Sequence, residues 1–160
     1  MRRSEREIKD NTILEKILKH ANICRIAFSV RDTPYIVPLN YGYYNGKLYI
    51  HSAKAGKKID LIKANPYVCF EIEYGYQVIT AEKACGWTAQ YASIIGYGEF
   101  KIVTAFADKL IALKYLMAQF DAKQSFTFNE KSINEVLILE LTIKEMSGKM
   151  SGDIQFPDAI

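Results

Sequence analysis

Residues 47–66, KLYIHSAKAGKKIDLIKANP, decide how this chain is read. Leu48 to His51 read as a β-strand, and the strand ends on the polar pair His51 and Ser52. A turn of small residues follows, crowded by Lys54, Lys57 and Lys58, and a short helix runs from about Gly56 to Ala64 until Asn65-Pro66 breaks it. The free N–H groups and positive dipole end of that helix point the same way as the lysines. Such a corner suits an anion attached to a flat organic body. A solvated basic turn has the same composition, so the reading depends on what surrounds it.

Upstream, Asn45-Gly46 is the strongest hairpin signal in the chain, and it sets Lys47–Ser52 antiparallel to a strand over Tyr35–Tyr44. Pro38 lies inside that strand, which places it at a sheet edge or bulge because its nitrogen donates to no ladder. Before it come a helix through His20 that Asn11 or Thr12 would cap, with Ile13, Leu14, Ile17 and Leu18 on one face, a strand over Ile23–Val30 and a turn at Arg31–Pro34. Downstream, Tyr67–Tyr74 reads as the fourth strand. Tyr91–Val103 is a long fifth strand, whose Gly96 and Gly98 mark a bend or a close backbone approach. A helix from Thr104 to Phe120, a polar loop and a final strand over Val136–Met146 complete the pattern. Six strands joined by hairpins and short helices predict a mainly β fold, a small antiparallel barrel with inserted helices.

Composition bounds the rest. The 160 residues fit one domain with a real core; 49% are hydrophobic and 24% charged, as in a globular chain. A net charge of +3 without a long basic run points to no nucleic-acid partner. No apolar run reaches the roughly 18 residues of a membrane span, and MRRSEREIKD lacks the apolar stretch of a secretory signal. Cys24, Cys69 and Cys85 have no metal-type spacing, and an odd count without a signal fits reduced thiols in the cytoplasm. Cys24 and Cys69 read as small core residues, while Cys85 lies in a looser, reachable stretch. No metal site is expected.

The segment PYIVPLNYGYYNGKLYIHSAKAGKKIDLIKANPYVCFEI resembles the second to fourth strands of the pyridoxamine 5'-phosphate oxidase-like, FMN-binding split barrels. The nitroimidazole-resistance (Nim-type) branch is the closest in pattern. Its RRxxRE-like start appears as Arg2, Arg3, Arg6 and Glu7, its Trp, Tyr, Ser and Gly-x-Gly stretch as Trp87, Tyr91, Ser93, Gly96 and Gly98, and its terminal pair as Gly148 and Lys149. The resemblance covers roughly Met1 to Ser151, and implies a six-stranded antiparallel FMN-binding split barrel over 1–152 with a C-terminal tail over 153–160.

The resemblance also implies roles. Asn65-Pro66 fixes a register in which Lys57 and Lys58 meet a cofactor phosphate. The wider family commonly carries arginine at the first position, so Lys57 would act as a point charge without bidentate geometry. His51 and Ser52 match the strand end beside the phosphate and ribityl chain. Val37, Pro38, Leu39 and Asn40 match the strand whose backbone follows the isoalloxazine edge, and Ser93 matches a polar position that reaches the flavin from a second subunit. Trp87 is open between a cofactor wall and an ordinary dimer-interface anchor. Tyr41, Tyr43, Tyr44 and Tyr49 fit strand packing better than cofactor contact, and His20 fits a helix-end cation or a surface residue.

Taken together, the expectation is a homodimeric, cytoplasmic FMN flavoprotein with cofactor sites at the dimer interface, FAD being the weaker choice. It would be an oxidoreductase for small aromatic, nitroimidazole-like substrates. The alternative is a non-catalytic flavin- or haem-binding or sensing module on the same barrel. Pyridoxamine-phosphate oxidation is not expected, because LELTIKEMSGKMSGDIQFPDAI contains neither the Trp nor the Arg that the true oxidases use at their C-terminus.

Overall fold

A computed structural model describes residues 3–157. In chain order they form a 3-10 turn at Ser4–Arg6, β1 (Glu7–Ile8), α1 (Asn11–His20), β2 (Ile23–Val30), β3 (Thr33–Asn40), β4 (Gly42–Tyr44), β5 (Lys47–Ser52), α2 (Lys57–Ala64), β6 (Tyr67–Ile79), a 3-10 turn at Ala84–Gly86, β7 (Thr88–Val103), α3 (Phe106–Ala118), α4 (Glu130–Glu135) and β8 (Leu137–Ser151). The strands pair antiparallel in the order β3-β2-β6-β7-β8-β5-β4, with β1 added to β8. The fold is therefore the mainly β, helix-inserted antiparallel architecture of a split barrel.

Eight strands appear where six are expected, for two local reasons. The stretch read as one strand over Tyr35–Tyr44 breaks at Tyr41, whose buried phenol donates to Leu18 O at 2.8 Å. Before the break β3 pairs with β2; after it β4 pairs with β5. One continuous chain thus joins the two ends of the sheet. The eighth strand is the two-residue β1. Asn45 and Gly46 take φ of 46° and 75° and close the β4–β5 hairpin with Tyr44 opposite Lys47, as Asn-Gly chemistry dictates.

The central strands run further than their sequence suggests. β6 continues to Ile79 and β7 starts at Thr88, so the pair projects as an arm beyond a register shift between Tyr74 and Gln77. A second irregularity lies between Tyr97 and Gly98 opposite β8, at the Gly-x-Gly stretch. β8 likewise extends to Ser151, and the loop before it contains α4, capped by the Asn129 side chain on Ser132 N at 2.8 Å. Inward-facing Cys24, Ile26, Phe28, Leu48, Ile50, Phe70, Ile72, Ile94, Leu139 and Leu141 fill the barrel.

α1 closes one end of the barrel with Leu14, Ile17 and Leu18. α3 packs on β4 and β5 through Ala112 and Leu116, and a Cβ on Gly42 would fall on the backbone of Tyr115 and Leu116. The segment after β8 is tied down: Ile154 is buried and packs on Gly75, and Phe156 stacks on Tyr74 with ring centroids 5.2 Å apart. Residues 158–160, the end of the tail, lie outside the described residues, as do Met1 and Arg2 of the basic start.

Candidate functional site

The sheet leaves two strand edges unpaired near each other. β3 bonds to β2 along one edge only, and the β4–β5 register ends at Gly42 opposite Tyr49, so Ile50, His51 and Ser52 pair only with β8. β3 and β5 approach one another across this opening. Backbone N–H and C=O groups on such edges are free for a ligand. Pro34 and Pro38 stand in the edge strand, where proline is tolerated.

The lysine turn closes one end of the opening. Ala53 to Gly56 make the turn, and Gly56 takes φ 122°, a backbone state that glycine enters without strain. α2 starts immediately after it, and no side chain caps its N-terminus, in contrast to α1, where Asp10 accepts from Thr12 N at 2.8 Å. The Lys57 ammonium lies 4.3 Å from the ring centroid of Tyr35 on β3, which brings the first turn of α2 against the edge strand. Asn65 fixes the far end: its Nδ2 donates to Ser29 O at 3.2 Å and its Oδ1 accepts from Tyr67 N at 3.1 Å. The Asn-Pro break is therefore also an anchor.

Each predicted site residue has a definite place. Val37 and Leu39 are half-buried on the inner face of β3; Pro38 and Asn40 are exposed on its outer face, and Asn40 Nδ2 donates to Asn22 O at 3.0 Å. Ser52 is buried and donates to Ala53 O at 3.0 Å, whereas His51 points outward and is exposed. Lys57 is exposed and Lys58 half-buried. These residues share the opening and its rim. Ser93 and Trp87 do not join them within one chain. Ser93 sits on the outer face of β7, opposite Glu73 and Lys149, and Trp87 is 55% exposed in the loop at the tip of the β6–β7 arm, with its indole donating to Ala81 O at 2.8 Å.

Among the tyrosines, Tyr41 and Tyr49 are buried as strand packing requires, but Tyr44 is 52% exposed and stacked on Tyr115, with centroids 4.2 Å apart. Burial pushes the Tyr49 phenol up to about 12, with Glu140 adding to the effect. His20 is half-buried rather than on the surface. Its Nδ1 donates to Lys16 O at 2.8 Å, its ring lies between Tyr74 and Phe156, and its Nε2 is buried without a partner.

The structure also gathers residues that sequence distance separated. Tyr91 on β7, Lys149 on β8 and Arg6 beside β1 meet on one face. The Lys149 ammonium is 5.8 Å from the Tyr91 ring, and Lys149, then Arg6, hold the Tyr91 phenol below its usual value. Gln119 is the residue that sequence reasoning missed. Its Nε2 donates toward Leu18 O, Lys19 O and Ala21 O at 2.9, 3.0 and 2.6 Å, and its Oε1 accepts from Tyr43 N at 3.1 Å. No local sequence signal marks a glutamine just past a helix as such a clamp.

Among the described residues no group of three or more His, Cys, Asp or Glu is placed to hold a metal, and no helix is long and apolar enough to cross a membrane.

The sequence profile described as pyridoxamine 5'-phosphate oxidase matches residues 10–150. A 56-residue stretch is 36% identical to an uncharacterised protein of Rhizobium meliloti (strain 1021), amounting to 35% of this chain and 36% of that relative's length. Among solved structures, a candidate 5-nitroimidazole antibiotic resistance protein from Bacteroides thetaiotaomicron superposes with a TM-score of 0.80 at 26% identity, covering 90% of this chain and 86% of that one. A protein from Mycobacterium smegmatis that binds FAD and haem superposes at 0.79 with 19% identity, covering 97% and 77%. At that identity the second likeness concerns the fold alone.

Proposed function

The chain belongs to the pyridoxamine 5'-phosphate oxidase family, and from that premise we propose that it is a homodimeric FMN flavoprotein that reduces small aromatic substrates of the nitroimidazole kind. The observation that carries this reading is the meeting of three features at one place: the uncapped start of α2, the Lys57–Tyr35 contact, and the free edges of β3 and β5. The residues fit the cofactor. A dianionic phosphate would take the unspent amides of α2 together with Lys57 and Lys58. The ring would lie along Val37 to Asn40, whose outer backbone groups suit a pyrimidine edge, and His51 and Ser52 would flank the sugar chain.

When bound, FMN supplies the electron transfer. The chain itself binds, orients and shields. Lysine charge and backbone N–H groups at the opening favour negative charge there. The likeness to a candidate nitroimidazole-resistance protein supports the substrate class.

Dimerisation is supported by the outer face of the sheet. Ile36, Ala27, Cys69 and Tyr97 are successive cross-strand neighbours, Tyr67 stacks on Tyr97, and Ile36 and Ile95 are 61% and 52% exposed. Ser93 shares that face of β7. A second copy packed there would cover the apolar patch and bring Ser93 and Trp87 toward the partner's opening.

The test is FMN retention by the purified protein and by a Lys57→Ala/Lys58→Ala variant. A yellow protein that loses at least ten-fold in FMN affinity (about 1.4 kcal/mol) on the double substitution supports the reading; unchanged affinity refutes the phosphate assignment. Bound flavin that dithionite reduces but no nitroaromatic reoxidises would instead favour a binding or sensing module.

A further inference from the structure

A sizeable cavity among the described residues lies away from the lysine turn. It is a cleft of about 650 Å³ between α1 and α3, lined by Thr12, Lys16, Tyr43, Tyr44, Tyr115 and Ala118 among others, and no residue of α2, β3 or β5 takes part. That volume lies within the range of small-molecule sites.

The walls of the cleft are held apart from below. The Gln119 amide clamps the last carbonyls of α1 to the end of α3 and to β4, and Gly42 lets β4 lie directly on the backbone of α3. The polar groups of this clamp are thus spent on one another, while His20, also in the lining, keeps its buried Nε2 without a partner. What faces the space above them is Ala118 and Ala122, too short to fill it, and a shelf made by Tyr44 stacked on Tyr115 with an interplanar angle of 8°. Tyr44 is 52% exposed, which leaves the outer side of the stacked pair open to the cleft.

Charge at the rim is asymmetric. Glu15 is engaged by Lys19 at 3.0 Å and by the Tyr43 hydroxyl at 3.4 Å. Lys16 lines the cleft and pairs with no carboxylate among the described residues; its ammonium lies 5.9 Å from the Phe156 ring.

We propose that this cleft is a second binding site, separate from the lysine corner, which takes a planar aromatic molecule carrying an acidic group. The ring lies on the Tyr44–Tyr115 shelf between small side chains, and the acid meets Lys16.

Fluorescence titration with 8-anilinonaphthalene-1-sulfonate, an anionic aromatic probe, tests this on the full chain. Saturable one-to-one binding is expected. Ala118→Trp fills the cleft from an exposed helical position and should weaken binding at least ten-fold (about 1.4 kcal/mol) with an unchanged melting temperature. Should that variant fold poorly, Tyr44→Ala removes the exposed half of the shelf and should have the same effect. The neutral analogue N-phenyl-1-naphthylamine should bind at least five-fold more weakly than the sulfonate. Lys57→Ala/Lys58→Ala should leave the titration unchanged, which separates this site from the proposed cofactor corner. Binding that ignores both cleft variants, or that the lysine variant abolishes, overturns the proposal. So does binding that appears only after residues 158–160 are removed, because the cleft would then belong to the chain's own end.

Discussion

Replacing Gln119 with leucine should destabilise the protein far more than its place just past a helix suggests. In the native structure its Oε1 accepts from Tyr43 N, and its Nε2 shares two hydrogens among Leu18 O, Lys19 O and Ala21 O. Leu18 O retains the Tyr41 hydroxyl at 2.8 Å, and Lys19 O is only partly buried and reaches water. The unrelieved losses are therefore the Tyr43 N–H and Ala21 O. At about 1–2 kcal/mol for each buried group left unpaired, the cost is about 2–4 kcal/mol. For a domain of this size that lowers the melting temperature by roughly 5–15 °C. Thermal unfolding followed by circular dichroism measures it. Gln119→Glu adds a sign: it keeps the acceptor for Tyr43 but sets a carboxylate against carbonyls, so it should be less stable at pH 8 than at pH 5, where protonation restores a donor. A fall of less than about 2 °C for the leucine variant would show that the clamp contributes little and refute the reasoning.

Three further outcomes follow from particular contacts. Gly42→Ala drives a methyl group into the backbone of Tyr115 and Leu116, which no rotamer relieves, and should cost about 3 kcal/mol in chemical denaturation; a neutral effect would mean that α3 does not sit directly on β4. With Ellman's reagent, exposed Cys85 should react first and buried Cys24, whose thiol burial pushes up to about 12, only on unfolding; early reaction of Cys24 contradicts the packing. In an alkaline titration at 295 nm, Tyr91 should ionise below the ordinary tyrosine value of about 10, and Tyr91→Phe should remove that phase, because Lys149 and Arg6 favour the phenolate. Since the folded state lowers this pKa, Tyr91 adds stability above pH 10 that is lost as pH falls through its folded value, while Tyr49, raised to about 12, weakens the fold as pH rises past 10.

What the sequence revealed was local, and what it concealed was long-range. Asn45-Gly46 and Asn65-Pro66 announce their turns because only a few residue types adopt those backbone states, and with them the β5–α2–β6 unit and its lysine corner were legible. The break at Tyr41 was not. It depends on a phenol reaching Leu18, 23 residues back, and on a change of partner strand that alternation alone does not encode. The arm of β6 and β7 was cut short for a related reason, since Tyr76, Val78 and Ile79 remain exposed there and carry no inward-outward pattern. α4 hid in a polar loop because six residues with one buried isoleucine show no periodicity. The aromatic cleft was invisible because its shelf joins Tyr44 to Tyr115, residues that sequence reading assigned to separate elements. The proposed cofactor corner was the easier part: its residues lie on adjoining segments.

Crystals of the protein with FMN give the most direct measurement. The phosphate oxygens should lie at hydrogen-bonding distance, about 2.7–2.9 Å, from the Lys57 or Lys58 ammonium and the first amides of α2, with the ring along Val37 to Asn40. Flavin lodged away from that corner, with the start of α2 facing only solvent, would contradict the account.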